Sequence, residues 1–463
     1  HRTSPGPTKT LSSSSDTSYV DTGLQAGTTY YYWVTSVASD GTESTYSDVV
    51  SATPSGGPVW YVNVSGGNDD TNNGASNSSF ATIGRGIIAA ANGDTVKVSS
   101  GTYTENINFA GKNIVVMSTT DPGSAVIDGG NSGSAVTFAN GESSSAQLKG
   151  FTIRNGYAKG SSFPDESGGG IVCTGSSSPR LENLIVVSNK ATKGGGGILC
   201  NSSSNPALVN VRISDNESGE KGGAVKILNS SPTLTNVTIA NNSADSSGGA
   251  FYLDSNSDPV LLNSIVWGNS PDEIKINDES STVTATYSDI KGGYSGTGNI
   301  NSDPTFVNAS GGNYKLTDYS PAIGTGTSSG APSTDIYGNT RGSSPDMGAY
   351  ENELSTPVTD QTAPTVGSVN DGLGADLAYT NTSSKLSANW SGFRDKDGIG
   401  ISYYEYAVGT STSGTDVKDW TSSSIDSSVT IASLELSEGS TYYLSVRATD
   451  KAGNVSETVS SNG

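Results

Sequence analysis

The stretch Gly195-Gly-Gly-Ile-Leu-Cys200 decides the fold, because three other segments repeat its pattern. They read Gly168-Gly-Gly-Ile-Val-Cys173, Gly222-Gly-Ala-Val-Lys226 and Gly248-Gly-Ala-Phe-Tyr252. A proline and two asparagines follow each segment and recur at steps of 27, 26 and 27 residues: Pro179, Pro206, Pro232 and Pro259; Asn183, Asn210, Asn236 and Asn263; Asn189, Asn216, Asn242 and Asn269. Identical residues at a nearly constant period occupy identical places in stacked structural units.

Alternation within the repeat predicts which side chains face the interior. In the strand after the glycines, the predicted inward set is Val172, Leu199, Val225 and Phe251, and the predicted outward set is Cys173, Cys200, Lys226 and Tyr252. In the strand after the first asparagine, the predicted inward sets are Leu184, Val211, Val237 and Ser264, and Val186, Ile213, Ile239 and Val266; Ile185, Arg212, Thr238 and Ile265 are predicted to point outward. Short strands joined by turns predict a parallel β-helix, with the asparagines forming ladders at the turns.

Composition supports an all-β chain and limits its partners. The 463 residues include 59 glycines and only 15% charged residues, which is too few for long amphipathic helices. Acidic residues outnumber basic ones 45 to 24, and the net charge of −21 argues against nucleic acid and anionic membranes as partners. The same charge suits a divalent cation such as calcium. The single histidine is His1, which argues against histidine-dependent triads and histidine-rich zinc sites.

The chain divides into three predicted domains. Residues 1–55 form a partial β-sandwich, residues 59–354 the β-helix, and residues 362–463 a second sandwich. The stretch from Phe80 to Asn92 is predicted to be a helix, with Phe80, Ile83, Ile87, Ile88 and Ala91 on its apolar face. Such a short amphipathic helix would cap the N-terminal end of the stack.

Several motifs of the central region resemble a known superfamily. Tyr61-Val-Asn-Val-Ser-Gly-Gly-Asn-Asp-Asp70, Gly93-Asp-Thr-Val96 and Gly101-Thr-Tyr-Thr-Glu105 resemble the entry segment of secreted bacterial proteins with a right-handed parallel β-helix, the fold of the pectate lyases. Pro345-Asp-Met-Gly-Ala-Tyr-Glu351 is similar to a closing motif of large modular surface proteins of this type. The resemblance implies the fold and secretion, and it implies no particular reaction.

The flanking domains resemble fibronectin type III or related immunoglobulin-like modules. Leu24 and Tyr30, and again Leu436 and Tyr442, have the spacing of the tyrosine corner of that family. Trp390 suits the core tryptophan of an early strand. Because the first strands of the N-terminal sandwich are missing, we expect the chain to be a fragment of a longer protein.

Candidate chemistry on the β-helix is sparse. A polysaccharide lyase needs a base in an outward groove and a cation that neutralises the uronate carboxylate. Lys226 and Tyr252 are the catalytic candidates on the outward stripe; the alternative is that they belong to a solvated ladder. A glycosidase would need two carboxylates at a defined separation, and no matching set recurs.

Calcium and a disulfide are the remaining site hypotheses. Asp69 and Asp70 are one candidate calcium site, and Asp395, Asp397 and Asp450 are another; the alternative in both places is turn chemistry. Cys173 and Cys200 fall at equivalent positions of neighbouring coils, within disulfide range, so a stacked thiol pair and a strained disulfide both remain open.

The leading functional hypothesis is a non-catalytic extracellular structural or adhesive protein. The chain would be a rigid, rod-like fragment of a secreted or cell-surface protein that binds polysaccharide or other copies of itself. The alternative is a carbohydrate-active enzyme, most plausibly a calcium-assisted polysaccharide lyase. A base beside a cation site on the outward stripe would discriminate between the two.

Overall fold

The computed structural model describes residues 29–52, 59–396 and 400–463. The chain forms two compact units. The first comprises residues 1–304, 308–315 and 321–355, and the second comprises residues 305–307, 316–320 and 356–463. The longest helix in the described part of the chain has seven residues, so none of its helices could cross a membrane.

The segment before the β-helix contains one antiparallel pair of strands, β1 (Tyr30–Tyr32) and β2 (Val50–Ala52). Tyr30, predicted to be a corner tyrosine, is buried, and its predicted partner Leu24 lies outside the described residues. The predicted partial sandwich of residues 1–55 is therefore described only from residue 29 to residue 52.

The β-helix is built from short parallel strands and one α-helix, α1 (Ile83–Ala89). The strands are β3 (Val59–Val62), β4 (Thr95–Val98), β5 (Gly101–Thr104), β6 (Ile107–Asn108), β7 (Val115–Ser118), β8 (Ala125–Asp128), β9 (Val136–Phe138), β10 (Gln147–Lys149), β11 (Thr152–Arg154), β12 (Tyr157–Ala158), β13 (Ile171–Cys173), β14 (Arg180–Val187), β15 (Lys190–Ala191), β16 (Ile198–Asn201), β17 (Ala207–Ser214), β18 (Glu217–Ser218), β19 (Val225–Leu228), β20 (Thr233–Thr235), β21 (Thr238–Ala240), β22 (Ser243–Ala244), β23 (Phe251–Asp254), β24 (Val260–Leu262), β25 (Ile265–Trp267), β26 (Ile274–Ile276), β27 (Thr284–Thr286) and β28 (Asp289–Ile290). After them come β29 (Phe306–Asn308), a 3-10 helix (Ala309–Gly311) and β30 (Asn313–Leu316).

The coils present three long faces. Face A contains β3, β4, β7, β10, the first halves of β14 and β17, β20, β24 and β27. Face B contains β5, β8, β11, the second halves of β14 and β17, β21, β25 and β28. Face C contains β6, β9, β13, β16, β19, β23 and β26, and a short sheet of β12, β15, β18 and β22 lies between faces B and C in sequence. One continuous apolar core extends from Val62 to Ile290.

The asparagines perform the predicted ladder role at two corners. Asn183, Asn210, Asn236 and Asn263 all have positive φ, between 49° and 53°, and turn the chain from face A to face B. Asn189, Asn216, Asn242 and Asn269 form a second ladder, in which each Nδ2 donates to the next Oδ1 at 3.0, 2.9 and 2.8 Å. Backbone N–H groups of the same residues donate to the same oxygens. The buried amides therefore satisfy one another.

On face B the predicted register is confirmed. Leu184 pairs with Val211, and Ile185 with Arg212, so the predicted inward and outward sets are both preserved. Arg212 in turn pairs with Thr238, and Thr238 with Ile265.

On face C the predicted register is wrong for two coils. Cys173 and Cys200, predicted to point outward, lie in the core and pair with one another and then with Ile227. Val172 and Leu199, predicted to point inward, belong to the outward ladder that leads to Lys226. Val225 and Phe251 pair with one another and are interior, as predicted.

A one-residue difference in a turn explains this error. After strand β16 the chain turns through two left-handed residues, Ser202 and Ser203, whereas after strand β19 it turns through Asn229 alone. Before this turn equivalent residues are 27 apart, as Asn201 and Leu228 are; after it they are 26 apart, as Ser204 and Ser230 are. A shift of one residue along a strand exchanges its inward and outward side chains. The prolines lie after this turn, so their steps of 27, 26 and 27 residues misassign the face C strands that lie before it.

The helix α1 lies against the first coil and is shorter than the predicted stretch from 80 to 92. Phe80, Ile83 and Ile87 join the core, whereas Ile88 is 68% exposed. Gly86 permits close approach, since a Cβ there would lie 2.8 Å from Val96. Lys112 Nζ donates to the carbonyls of Ile87, Ile88 and Ala90 at the end of the helix. The helix thereby covers the N-terminal end of the apolar core, as predicted for a cap.

The second unit contains an antiparallel sandwich. Its strands are β31 (Ser368–Asp371), β32 (Lys385–Ser391), β33 (Ile401–Gly409), β34 (Lys418–Ser422), β35 (Ser428–Ala432), β36 (Tyr443–Asp450) and β37 (Val459–Ser460). One sheet has the order β31-β32-β35 and the other β34-β33-β36-β37. Trp390 is buried in the core, and Tyr442 Oη accepts a hydrogen bond from Ser437 N at 2.7 Å, as a tyrosine corner requires.

Candidate functional site

The outward ladder of face C runs through Thr137, Val172, Leu199, Lys226, Tyr252 and Lys275. Lys226 and Tyr252, the two catalytic candidates, are direct neighbours on adjacent strands. Although the ladder points away from the core, Val172 is only 5% exposed, Leu199 is fully buried and Tyr252 is 2% exposed. The middle of the ladder is therefore covered.

Lys226 is held by the segments that cover the ladder. Its Nζ is 3.4 Å from the carbonyl of Lys193 and 5.9 Å from the centre of the Phe163 ring. Its methylene chain packs against the backbone of Gly194. Burial lowers the pKa of Lys226, although Glu220 opposes this effect. A lysine with a lowered pKa can accept a proton, but this one donates to the protein's own main chain.

Tyr252 is paired within the protein as well. Lys221 Nζ donates to Tyr252 Oη at 3.0 Å and lies 4.7 Å from the centre of the ring. This hydrogen bond raises the pKa of Lys221. Lys193, in the segment that covers the ladder, forms an ion pair with Glu220. Lys226 and Lys221 instead donate to uncharged groups, a carbonyl and a phenol oxygen, so all three lysines are engaged within the protein.

The open part of the same surface is a polar pocket beside Thr137. It has a volume of about 440 Å³ and is lined by Asn106, Ser132, Gly133, Ser134, Thr137, Lys159, Gly160 and Asp165. Asn106 Nδ2 already donates to the carbonyl of Ser134 at 2.8 Å. The pocket offers one lysine and one aspartate, and no paired carboxylates of the kind a glycosidase uses.

The outward ladder of face B is covered by residues that follow the last coil. Ala349 N donates to Thr238 Oγ1 at 2.9 Å, and Gly348 N donates to the carbonyl of Asn263 at 2.7 Å. Arg212 Nη1 donates to the carbonyl of Gly312 at 2.8 Å. The stretch from Pro345 to Glu351, noted in the sequence as a closing motif, therefore lies on the outside of the coils.

A buried ion pair fixes this closing segment. Arg341 Nη1 lies 2.7 Å from Glu351 Oε2, and the two side chains are 2% and 7% exposed. Arg341 Nη2 also donates to Asn210 Oδ1 at 3.0 Å, which ties the pair to the asparagine ladder. Burial raises the pKa of the neighbouring Asp346 to about 7, even though Gly324 N and Asn352 N donate to its carboxylate.

Asp69, from the first predicted calcium pair, holds the chain immediately before the helix α1. Asp69 Oδ1 accepts from Ala81 N and Thr82 N, and Asp69 Oδ2 accepts from the Thr82 hydroxyl at 2.7 Å. Asp70 is exposed beside it. Asp69 thus fixes Thr82, the N-cap residue, while Thr82 Oγ1 and the Glu105 carboxylate accept from the first N–H groups of the helix.

The second predicted calcium site is partly brought together. Asp395 and Asp450 lie with Asp360 in a group whose ligand oxygens are all within 4.8 Å of one another. Asp397 lies outside the described residues. Carboxylate oxygens are the ligands that calcium prefers, so this trio can hold a cation of that type. In the described parts of the chain, no comparable group of three occurs on the β-helix.

Cys173 and Cys200 are both thiols, stacked on adjacent strands inside the core. Burial raises the pKa of Cys200 to about 12 and that of Cys173 well above its usual value. Buried thiols of this kind pack as small apolar side chains.

Three features of these sites are not apparent from the sequence. Asp360 stands 35 residues before Asp395 and belongs to no repeat. The cover over face C includes Phe163, and the closing motif pairs with Arg341. None of these contacts recurs from coil to coil, so no period in the sequence signals them.

Comparison with known proteins supports the fold. Residues 134–311 match the family model described as a right handed beta helix region, which confirms the predicted right-handed parallel β-helix. The chain is similar in structure to a pectate lyase, Pel9A, with 17% identity over 64% of this chain and 96% of that one and a TM-score of 0.27. It is also similar to a pectin methylesterase variant in complex with a hexasaccharide, with 15% identity over 51% of this chain and 90% of that one and a TM-score of 0.27. No curated protein matches it in sequence.

Proposed function

We propose that this chain is a non-catalytic structural or adhesive part of a larger protein that works outside the cell, secreted or at the cell surface. One observation carries the proposal: the middle of the outward ladder of face C is covered, and its two catalytic candidates bond to their own protein. Lys226 donates to the carbonyl of Lys193, and Tyr252 is bonded to Lys221. A catalytic base must instead be within reach of its substrate.

Polysaccharide, or further copies of the same protein, are the proposed partners. The net charge of −21 disfavours nucleic acid and anionic lipid surfaces. The amide ladders and the continuous core suit a stiff module that holds binding surfaces at a distance from their point of attachment.

A polysaccharide lyase is the second candidate. The lowered pKa of Lys226 favours it, as does the open pocket at the Thr137 end of the same ladder. A lyase would need the cover over Lys226 to open so that a uronate could reach the ammonium.

A product assay separates the two functions. Lyases leave an unsaturated sugar that absorbs in the ultraviolet. The full chain should release no such product from polygalacturonate or alginate, with or without calcium, under conditions in which an active pectate lyase gives a strong signal. Calcium-dependent product that disappears in Lys226→Ala but persists in Lys275→Ala, a substitution on the same ladder, would overturn the proposal in favour of the lyase.

A further inference from the structure

The C-terminal sandwich has an open pocket of its own. Its volume is about 760 Å³, within the range of ligand-binding clefts. It lies between two loops of the second unit, residues 372–384 and residues 436–442. Strand β32 supplies part of its wall through Lys385, Leu386 and Ser387.

Internal hydrogen bonds hold the two loops together. Leu436 N donates to the carbonyl of Ser383, and Leu434 N donates to that of Ser384. The second loop is braced by the bond from Ser437 N to Tyr442 Oη. The first is braced at its start, where Leu377 N donates to the carbonyl of Asp371. The pocket is therefore shaped by bonded segments from three parts of the sequence.

Apolar side chains at this pocket are exposed to solvent. Tyr379 is 86% exposed and Leu377 is 51% exposed, and both line it together with Leu386 and Leu436. An exposed tyrosine offers a flat ring with little conformational entropy to lose on contact. An aromatic face of this kind suits the C–H face of a sugar ring.

Hydroxyl and amide side chains form much of the remaining wall, among them Thr380, Asn381, Thr382, Ser383, Ser440 and Thr441. Hydroxyls and amides can both donate and accept, as sugar hydroxyls can. The charged residues that line the pocket, Lys385, Glu438 and Asp371, are of mixed sign. A purely hydrocarbon ligand would leave the polar wall unsatisfied, and a strongly charged ligand would meet no matching cluster.

We infer that this pocket binds a neutral oligosaccharide, with Tyr379 as the stacking platform. The inference deepens the proposed adhesive function and rests on it. It places recognition in the sandwich and leaves the β-helix as support.

The test uses the full chain and a panel of neutral oligosaccharides of three to six sugars, with hexagalacturonate as the acidic comparison. Binding is measured by titration calorimetry and by saturation-transfer NMR. At least one neutral oligosaccharide should bind, and Tyr379→Ala should weaken that binding about tenfold or more. Tyr379→Phe, which keeps the ring, should stay within about threefold of the unmodified chain, and Asn381→Ala, which removes an amide from the same loop, should also weaken binding.

Tyr46→Ala is the matched control, because Tyr46 is an exposed tyrosine of the first unit. It should leave the affinity unchanged. Circular dichroism confirms folding, and because Tyr379 is 86% exposed its variants lose no core packing. The absence of any neutral ligand, binding that Tyr379→Ala does not weaken, or tighter binding of hexagalacturonate would overturn the inference. None of these results generates lyase product, so a failure here is distinct from a failure of the non-catalytic proposal.

Discussion

The two compact units use β-strands in different ways. In the β-helix, each strand pairs in parallel with its equivalent in the next coil, so one side-chain contact repeats along the stack, as in the ladder from Asn189 to Asn269. In the sandwich, strands pair antiparallel and each contact occurs once. Repetition gives a buried amide a partner on both sides.

The two units also differ in how their polar side chains are grouped. On the β-helix the asparagines bond to one another, and Lys226 and Tyr252 bond within the unit. The sandwich has a group of three carboxylates and an open pocket. We therefore expect substitutions in the repeat to change stability, and substitutions in the sandwich to change the response to ions and ligands.

The largest expected effect is the loss of the β-helix in Val225→Asp. Val225 is 2% exposed in the core, and a carboxylate there would be buried without a partner. We expect a loss of more than about 4 kcal/mol of stability, enough to unfold the coils. Hydrogen-exchange mass spectrometry should show lost protection in peptides of the β-helix, whereas peptides of the sandwich remain protected.

Val260→Asp is the matched control for that substitution. Val260 lies on strand β24 with an outward, 43% exposed side chain. It should cost less than about 1 kcal/mol, within the range of surface substitutions. Equal damage from both substitutions would contradict the assigned alternation.

The next effect concerns the closing segment. Arg341→Ala would leave Glu351 buried without its cation, and breaking such a pair typically costs about 3–5 kcal/mol. Chemical denaturation should report this loss. The comparison is Lys190→Ala, which removes an exposed pair with Glu217 and should cost about 0–1 kcal/mol. A similar small loss in both variants would show that the closing segment contributes little.

A pH effect should follow from Asp289 at the last coil. It is fully buried, its Oδ2 has no hydrogen-bond partner, and burial raises its pKa to about 7. A raised pKa means that the folded state holds the proton more tightly, so stability is full below about pH 4 and falls as the pH rises through 7. With about 1.36 kcal/mol for each pKa unit, the loss is on the order of 4 kcal/mol.

Asp289→Asn should remove that dependence. At pH 8 the variant should be more stable than the unmodified chain, by up to about 4 kcal/mol, and the two should converge near pH 4. Denaturation at a series of pH values checks this. Asp245→Asn, at an exposed position, should leave the profile unchanged. A parallel profile for Asp289→Asn would show that Asp289 does not titrate in this range.

The smallest effect is predicted for calcium in the sandwich. If the dissociation constant is that of an extracellular module, about 10⁻⁴–10⁻³ M, then about 10 mM calcium should stabilise the sandwich by roughly 1.4–2.7 kcal/mol. Hydrogen exchange should slow in peptides of the sandwich and not in those of the β-helix. Asp395→Asn should abolish the response, and Asp426→Asn, outside the group of three, should preserve it. An unchanged response in Asp395→Asn would place the ion elsewhere.

Much of the fold was predictable because it repeats. The asparagine series gave the corners, and the alternation around Arg212 gave the inward and outward sides of face B. The register of face C was predicted wrongly because the turn at Asn229 has one left-handed residue fewer than the turn at Ser202 and Ser203, which changes the step between coils. A period counted on prolines does not reveal on which side of a turn a residue has been lost.

The candidate sites were less predictable than the fold. Lys226 and Tyr252 were correctly placed as outward neighbours, but the sequence does not show that Phe163 and Lys193 cover them. Asp395 and Asp450 were grouped from the sequence as calcium candidates, whereas Asp360 joins them only through the fold.

By itself the sequence determined a parallel stack with amide ladders, an N-terminal helix beside the first coil and a β-rich C-terminal region. These features depend on local alternation and on identical residues at a regular period, which act over one or two coils. The tertiary structure alone decided the burial of the face C ladder, the Arg341–Glu351 pair on the outside of face B and the meeting of three carboxylates in the sandwich. Those contacts are not repeated along the chain, and their energies depend on desolvation and geometry that no local pattern specifies.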